Sequence, residues 1–276
     1  MLERLNRSLS KSEVPNFWNR EFESRLLRQP TPRLRLTSQK IMLYQIISQE
    51  LNNLKNPAKA KILQKFFKTG KGEYGEGDIF LGIIAPKQRE IVKKYFKQTS
   101  LNNIQKLLNS KIHEYRLVGI LILVEKFKKA DEKFKKEIFN FYLKNTKKIN
   151  NWDLVDLSAP NIVGDFLLNK NSKVLYNLVR SKNLWERRIS IISTLAFIYQ
   201  NKFEHTIKIS KILLKDKHDL IHKAVGWMLR EIGKRDEQEL IKFLNKYVLQ
   251  MPRTTLRYSI EKLPEKKRKY YLKLKK

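Results

Sequence analysis

The chain has 276 residues, with 59 Lys and Arg against 27 Asp and Glu, a formal net charge of +32, and no cysteine. The lack of cysteine excludes disulfides, thiolate nucleophiles and Cys-ligated metal or iron–sulfur centres, and the charge points to a polyanionic partner such as nucleic acid or an anionic membrane surface. With 41% hydrophobic residues and only 9 Gly the composition is that of a folded protein, and no apolar run reaches the roughly 18 residues a membrane span needs.

The N-terminal stretch MLERLNRSLSKSEVPNFWNR lacks the apolar core of a signal peptide, so a soluble, cytoplasmic protein is expected. Residues 1–37 carry Pro15, Pro30 and Pro32 and weak periodicity. They read as a basic N-terminal extension, either partly ordered or forming a short docking helix around Trp18 and Phe22. Residues 38–276 read as one domain.

From Ser38 the pattern is almost continuously helical. Apolar residues recur at helix spacing in Ile41, Tyr44, Ile47, Leu51 and Leu54, and again from Ile62 to Phe67 after Pro57. The run TGKGEYGEGDIFLGIIA, from Thr69 to Ala85, is the Gly-rich loop of the chain. It has neither the GK[ST] ending nor the preceding strand of a phosphate-binding P-loop. Pro86 opens the next helix, and after Ser100, a candidate N-cap, helices alternate with short polar connections to the end.

Every second helix is predicted to start at 113, 151, 184, 219 and 252, at intervals of 38, 33, 35 and 33 residues. A helix-pair period of this size marks an all-α solenoid of the HEAT, armadillo or TPR kind, in which one layer of helices lines a concave, basic groove, whereas an irregular helical bundle would not line up its helix starts. Near the starts or mid-lengths of these helices stand Trp152 with Asp156, Trp185-Glu186-Arg187-Arg188, and Gly226-Trp227. Trp152 and Asp156 are one helical turn apart and share a face. Arg188 and Trp227 follow Trp152 after 36 and a further 39 residues, which puts all four at comparable places in successive repeats. Each taken singly has a plainer reading. A Trp packs helices, a carboxylate pairs with a neighbouring base, and Arg187 and Arg188 cannot both face the groove. Asp153 suits the first turn of its helix. His218 and His222 have metal-ligand spacing, but the sequence supplies neither the Glu of an HExxH helix nor a third ligand, so no metal is expected.

The run GEGDIFLGIIAPKQREIVKKY, followed in order by HEYRLVGILILV, NWDLVDLSAP, LWERRISII, KAVGWMLREIGK and MPRTTLRYSIEKLP, resembles the AlkD-type DNA alkylation repair family over about residues 40–273. Ile84 stands where that pattern has a basic residue. The resemblance implies a HEAT-like repeat DNA glycosylase that excises N3- and N7-alkylated purines from double-stranded DNA, as a monomer and without a cofactor. Carried over motif by motif, it implies Asp156, Trp152 and Trp227 as the catalytic set. Arg188 would hold a backbone phosphate, with Arg187, Arg116 and Arg257 as further DNA contacts. Two other readings stay open: a non-catalytic repeat protein that binds distorted or branched DNA, and a protein-interaction scaffold.

Overall fold

The protein is described by a computed structural model that covers residues 32–274, with side chains from Leu43 onward. The expected Trp18–Phe22 helix and residues 1–31 of the expected basic extension lie outside these described residues, whereas residues 32–37 belong to a helix. The chain divides into two units, Met1–Met42 and Leu43–Lys276; apart from the first residues of the opening helix, everything that follows belongs to the second.

The helices in order are α1 (Pro32–Asn53), α2 (Pro57–Phe66), α3 (Ala85–Tyr95), α4 (Leu101–Leu108), α5 (His113–Lys128), α6 (Glu132–Lys144), α7 (Trp152–Ala159), α8 (Asp165–Leu167), α9 (Lys173–Leu178), α10 (Leu184–Tyr199), α11 (Glu204–Leu213), α12 (Asp219–Arg235), α13 (Glu237–Tyr247), α14 (Arg253–Ser259) and α15 (Glu265–Leu274). Among the described residues the extended pairing is limited to one parallel bridge, Ile79 with Ile112. The architecture is an all-α helical repeat.

Local chemistry accounts for the starts. Asn56, Ser100, Asp131, Asn151, Asn183, His218 and Asp236 each accept a backbone N–H through the side chain at a helix N-terminus. After Ala159 the helix widens into a π turn, Pro160–Gly164, before continuing as α8. Pro160 has no amide hydrogen for the regular ladder, which explains the change of pitch.

Alternate helices form an unbroken layer, since α5 packs on α7, α7 on α10, α10 on α12 and α12 on α14. The helices between them, among them α6, α9, α11 and α13, lie behind this layer. α5 is buried almost all round, from His113 to Val124, as a helix sandwiched between neighbours must be. The core runs through Ile104, Ile120, Phe127, Tyr142, Ile192, Met228 and Leu244. α12 and α14 approach each other closely at Gly226. A Cβ added at Gly226 would lie 2.5 Å from the Tyr258 Cβ and 2.7 Å from the Thr255 carbonyl, so only glycine admits this packing.

Candidate functional site

The site is built on the first turn of α7. The Asn151 side chain accepts the Trp152 amide at 2.8 Å and donates from Nδ2 to Asp78 at 3.3 Å, which fixes where the helix begins. One turn on, Trp152 and Asp156 emerge on the same face. They line a cleft of about 770 Å³ that also takes in Arg188 from α10 and Trp227 from α12. The four residues that the repeat spacing put in register therefore meet at one solvent-reachable place.

Asp156 does not stand free there. Arg188 donates from Nε to Oδ1 at 2.9 Å and from Nη2 to Oδ2 at 2.7 Å, and its remaining Nη1 donates to the Leu220 carbonyl of α12. The guanidinium is buried, while 15% of the Asp156 side chain is open to the cleft. Burial pushes the Asp156 carboxyl above its ordinary range, and Arg188 pulls it back towards the ionised form. A two-pronged pair of this kind keeps a buried carboxylate charged and fixes its orientation.

Trp152 is backed by a column of rings. Its indole stacks on Phe67 at 5.1 Å and 14°, Phe67 stacks on Phe80 at 4.9 Å, and Phe80 lies over the His113 imidazole at 4.4 Å. Phe66 adds an edge contact with Trp152 at 6.0 Å. The column ends in a buried ionic cluster. His113 Nε2 meets Asp153 at 2.8 Å, His113 Nδ1 meets Asp78 at 3.2 Å, and Arg116 meets Asp78 at 2.6 Å. Burial alone would drive the His113 proton off, but the two carboxylates outweigh it and raise its pKa to about 9. Trp227 donates its indole N–H to Glu231 at 3.1 Å, which turns the ring.

The other expected DNA contacts lie elsewhere. Arg187 is held by Asp216 at 2.6 Å and by the carbonyls of Ser181 and Lys182, away from Asp156, so the two adjacent arginines do face different ways. Arg116 is 3% exposed and turned inward on Asp78, where it braces the base of the site. Arg257 is exposed on α14 and is not part of the cleft wall. The wall carries Lys217 and Lys223 instead, the latter paired with Asp219 at 2.8 Å. Of the two spaced histidines, His218 caps α12 through Nδ1 and His222 meets the Asp216 carbonyl. Among the described residues no three His, Asp or Glu side chains gather as a metal would require.

Sequence reasoning missed Tyr74, the ring column and the His113 cluster. A signal was present for the cluster: His113 and Asp153 occupy the first turns of consecutive inner-layer helices, so they are neighbours by the same register that joins Trp152 to Arg188.

Fold and site define a helical-repeat protein whose inner layer presents a carboxylate between indoles in a strongly basic chain. A model of the DNA alkylation repair enzyme family matches residues 47–263, and the chain belongs to that family. Among solved structures, it is similar to one described as a predicted DNA alkylation repair enzyme from Enterococcus faecalis, with a TM-score of 0.63 and 19% identity over 76% of this chain and 97% of the other. At that identity the likeness is one of fold. No curated protein matches the chain. None of the described helices is long and apolar enough to cross a membrane.

Proposed function

We propose that the protein is a monofunctional DNA glycosylase that hydrolyses the N-glycosidic bond of cationic N3- and N7-alkylated purines in double-stranded DNA. The observation that carries this reading is Asp156, held in bidentate fashion by Arg188 and open to a cleft lined by Trp152 and Trp227.

Alkylation at N3 or N7 fixes a positive charge on the purine. When the C1′–N bond breaks, its electron pair returns to the base and neutralises that charge, and the sugar is left with oxocarbenium character. A carboxylate fixed beside C1′ stabilises this charge chiefly in the transition state, and it orients the water whose oxygen bonds to C1′ while its proton passes to Asp156 or solvent. Indole faces favour a cation by about 0.5–2 kcal/mol each. No amine nucleophile is needed, so the DNA strand stays intact.

Arg188 acts through Asp156 in this scheme, because its nitrogens are engaged by the carboxylate and the Leu220 carbonyl. Phosphate contacts then fall to exposed cations such as Lys217 and Arg257, with a net charge of +32 supplying affinity that does not depend on sequence. Residues 38–276 would form the catalytic unit, acting as a monomer without a cofactor.

The test is incubation with heavily methylated duplex DNA and chromatography of the supernatant. Free 3-methyladenine and 7-methylguanine are expected, with unbroken strands. Salt-sensitive binding without release of base would overturn the glycosylase reading in favour of a non-catalytic protein that binds distorted DNA.

A further inference from the structure

The Gly-rich run has no part in the reaction above, yet it folds into the rim of the same cleft. The Glu73 carboxylate accepts the Gly70 amide at 2.9 Å, and Glu76 accepts that of Gly72 at 2.8 Å. The Gly75 amide donates to the Lys68 carbonyl at 3.0 Å, and a Cβ at Gly75 would lie 2.4 Å from the Phe67 carbonyl, so the loop rests directly on the end of α2. Its far end is tied down by Asp78, buried on Arg116 and His113, and by the exchange of Ile79 with Lys111 and His113 of the next segment.

Between these anchors stands one aromatic side chain, Tyr74. It is half-buried, meets Trp185 edge-on at 6.1 Å and 75°, and lines the cleft together with Trp152, Asp156 and Trp227. Its hydroxyl lies 3.5 Å from the Phe66 carbonyl. Burial pushes the phenol above its usual pKa, so it remains a neutral ring with an electron-rich face. The nearby Lys223 is already paired with Asp219.

We infer that Tyr74 is a specificity-determining residue, whose ring adds to the aromatic lining of the cleft formed by Trp152, Trp227, Phe66 and Tyr258 and favours a cationic purine over a neutral base of the same shape. The inference takes its ligand from the glycosylase reading. It assigns a role to a loop that neither the repeat pattern nor the hydrolytic step requires.

The experiment compares binding of two duplexes that are not cleaved. One carries 7-methylguanine on a 2′-fluorinated sugar, where the fluorine disfavours the oxocarbenium ion and the base stays cationic. The other carries the neutral isostere 7-methyl-7-deazaguanine. The full-length protein should bind the first more tightly. Tyr74→Phe should keep that preference, and Tyr74→Leu should reduce it about three- to tenfold, the range of a single ring–cation contact. Should Tyr74→Leu fail to fold, as read by circular dichroism, Tyr74→Gln serves the same purpose. An unchanged preference in the variant lacking the ring, an equal loss for both duplexes, or a loss in Tyr74→Phe as large as in Tyr74→Leu would overturn the inference. Release of free 7-methylguanine by the wild-type protein is scored separately. Release with an unaltered binding preference sinks only the role of Tyr74, whereas no release sinks the reaction.

Discussion

Arg188 and Asp156, 32 positions apart on α10 and α7, are joined by two parallel hydrogen bonds of 2.9 and 2.7 Å in a site closed on one side by α12. Removing the charge on the carboxylate alone should separate binding from chemistry. Asp156→Asn is expected to keep affinity for methylated duplex DNA within a few-fold while excision of 7-methylguanine falls about 100-fold or more. Excision at the wild-type rate by this variant would remove Asp156 from the mechanism.

The same pair sets a pH dependence. Asp156 must be ionised to act, and burial raises its pKa against the pull of Arg188. Activity should therefore fall on the acid side at a pH above the ordinary carboxylate value of about 3.9. Arg188→Leu takes away the opposing cation, so the acid limb should move to higher pH. A profile of kcat/KM against pH, corrected for spontaneous depurination, measures both.

His113 offers a test in stability. Its pKa rises on folding from the usual value of about 6.5 to about 9, so its stabilisation is complete below the lower value and is lost as pH rises through the upper one. Urea unfolding should show a decline of up to about 3 kcal/mol between pH 6.5 and 9.5. His113→Gln, less stable throughout, should lack that decline.

Trp152 and Trp227 should contribute through their faces. Trp152→Ala is expected to reduce the preference for cationic over normal duplex DNA by about three- to thirtyfold, with Trp152→Phe retaining most of it. Competition binding with methylated and unmethylated DNA of one sequence measures this, and equal preference in wild type and Trp152→Ala would count against the aromatic role.

The two kinds of arginine should respond differently. Arg257→Ala, at an exposed position, should lower the slope of log affinity against log salt by about 1 with little effect on folding. Arg116→Ala leaves Asp78 buried without its closest partner and should cost about 3–5 kcal/mol in unfolding experiments.

Much of the molecule is legible in its primary structure, because a helix period acts over short distances. Side chains three or four positions apart must share a face, so the apolar spacing yields the helices. The recurring interval between starts yields the layer of α5, α7, α10, α12 and α14, and the same register brings Trp152, Asp156, Arg188 and Trp227 to one cleft. The family pattern could be recognised for the same reason, as a series of short motifs, most of them confined to one helix.

What each polar group does there was left to the tertiary structure. Whether Arg188 reaches out to phosphate or back to Asp156 depends on a few ångströms across the packing of α7 against α10, and periodicity does not measure that distance. Arg116 and His113 are buried with Asp78 because a loop segment far from them in sequence folds over the start of α5. Tyr74 lies in a stretch with no helix period at all, and only the seating of that loop on the end of α2 brings its ring to the cleft. Local sequence determined the helices and the faces they present, whereas long-range packing decided which charges are spent on one another and which remain open to a ligand.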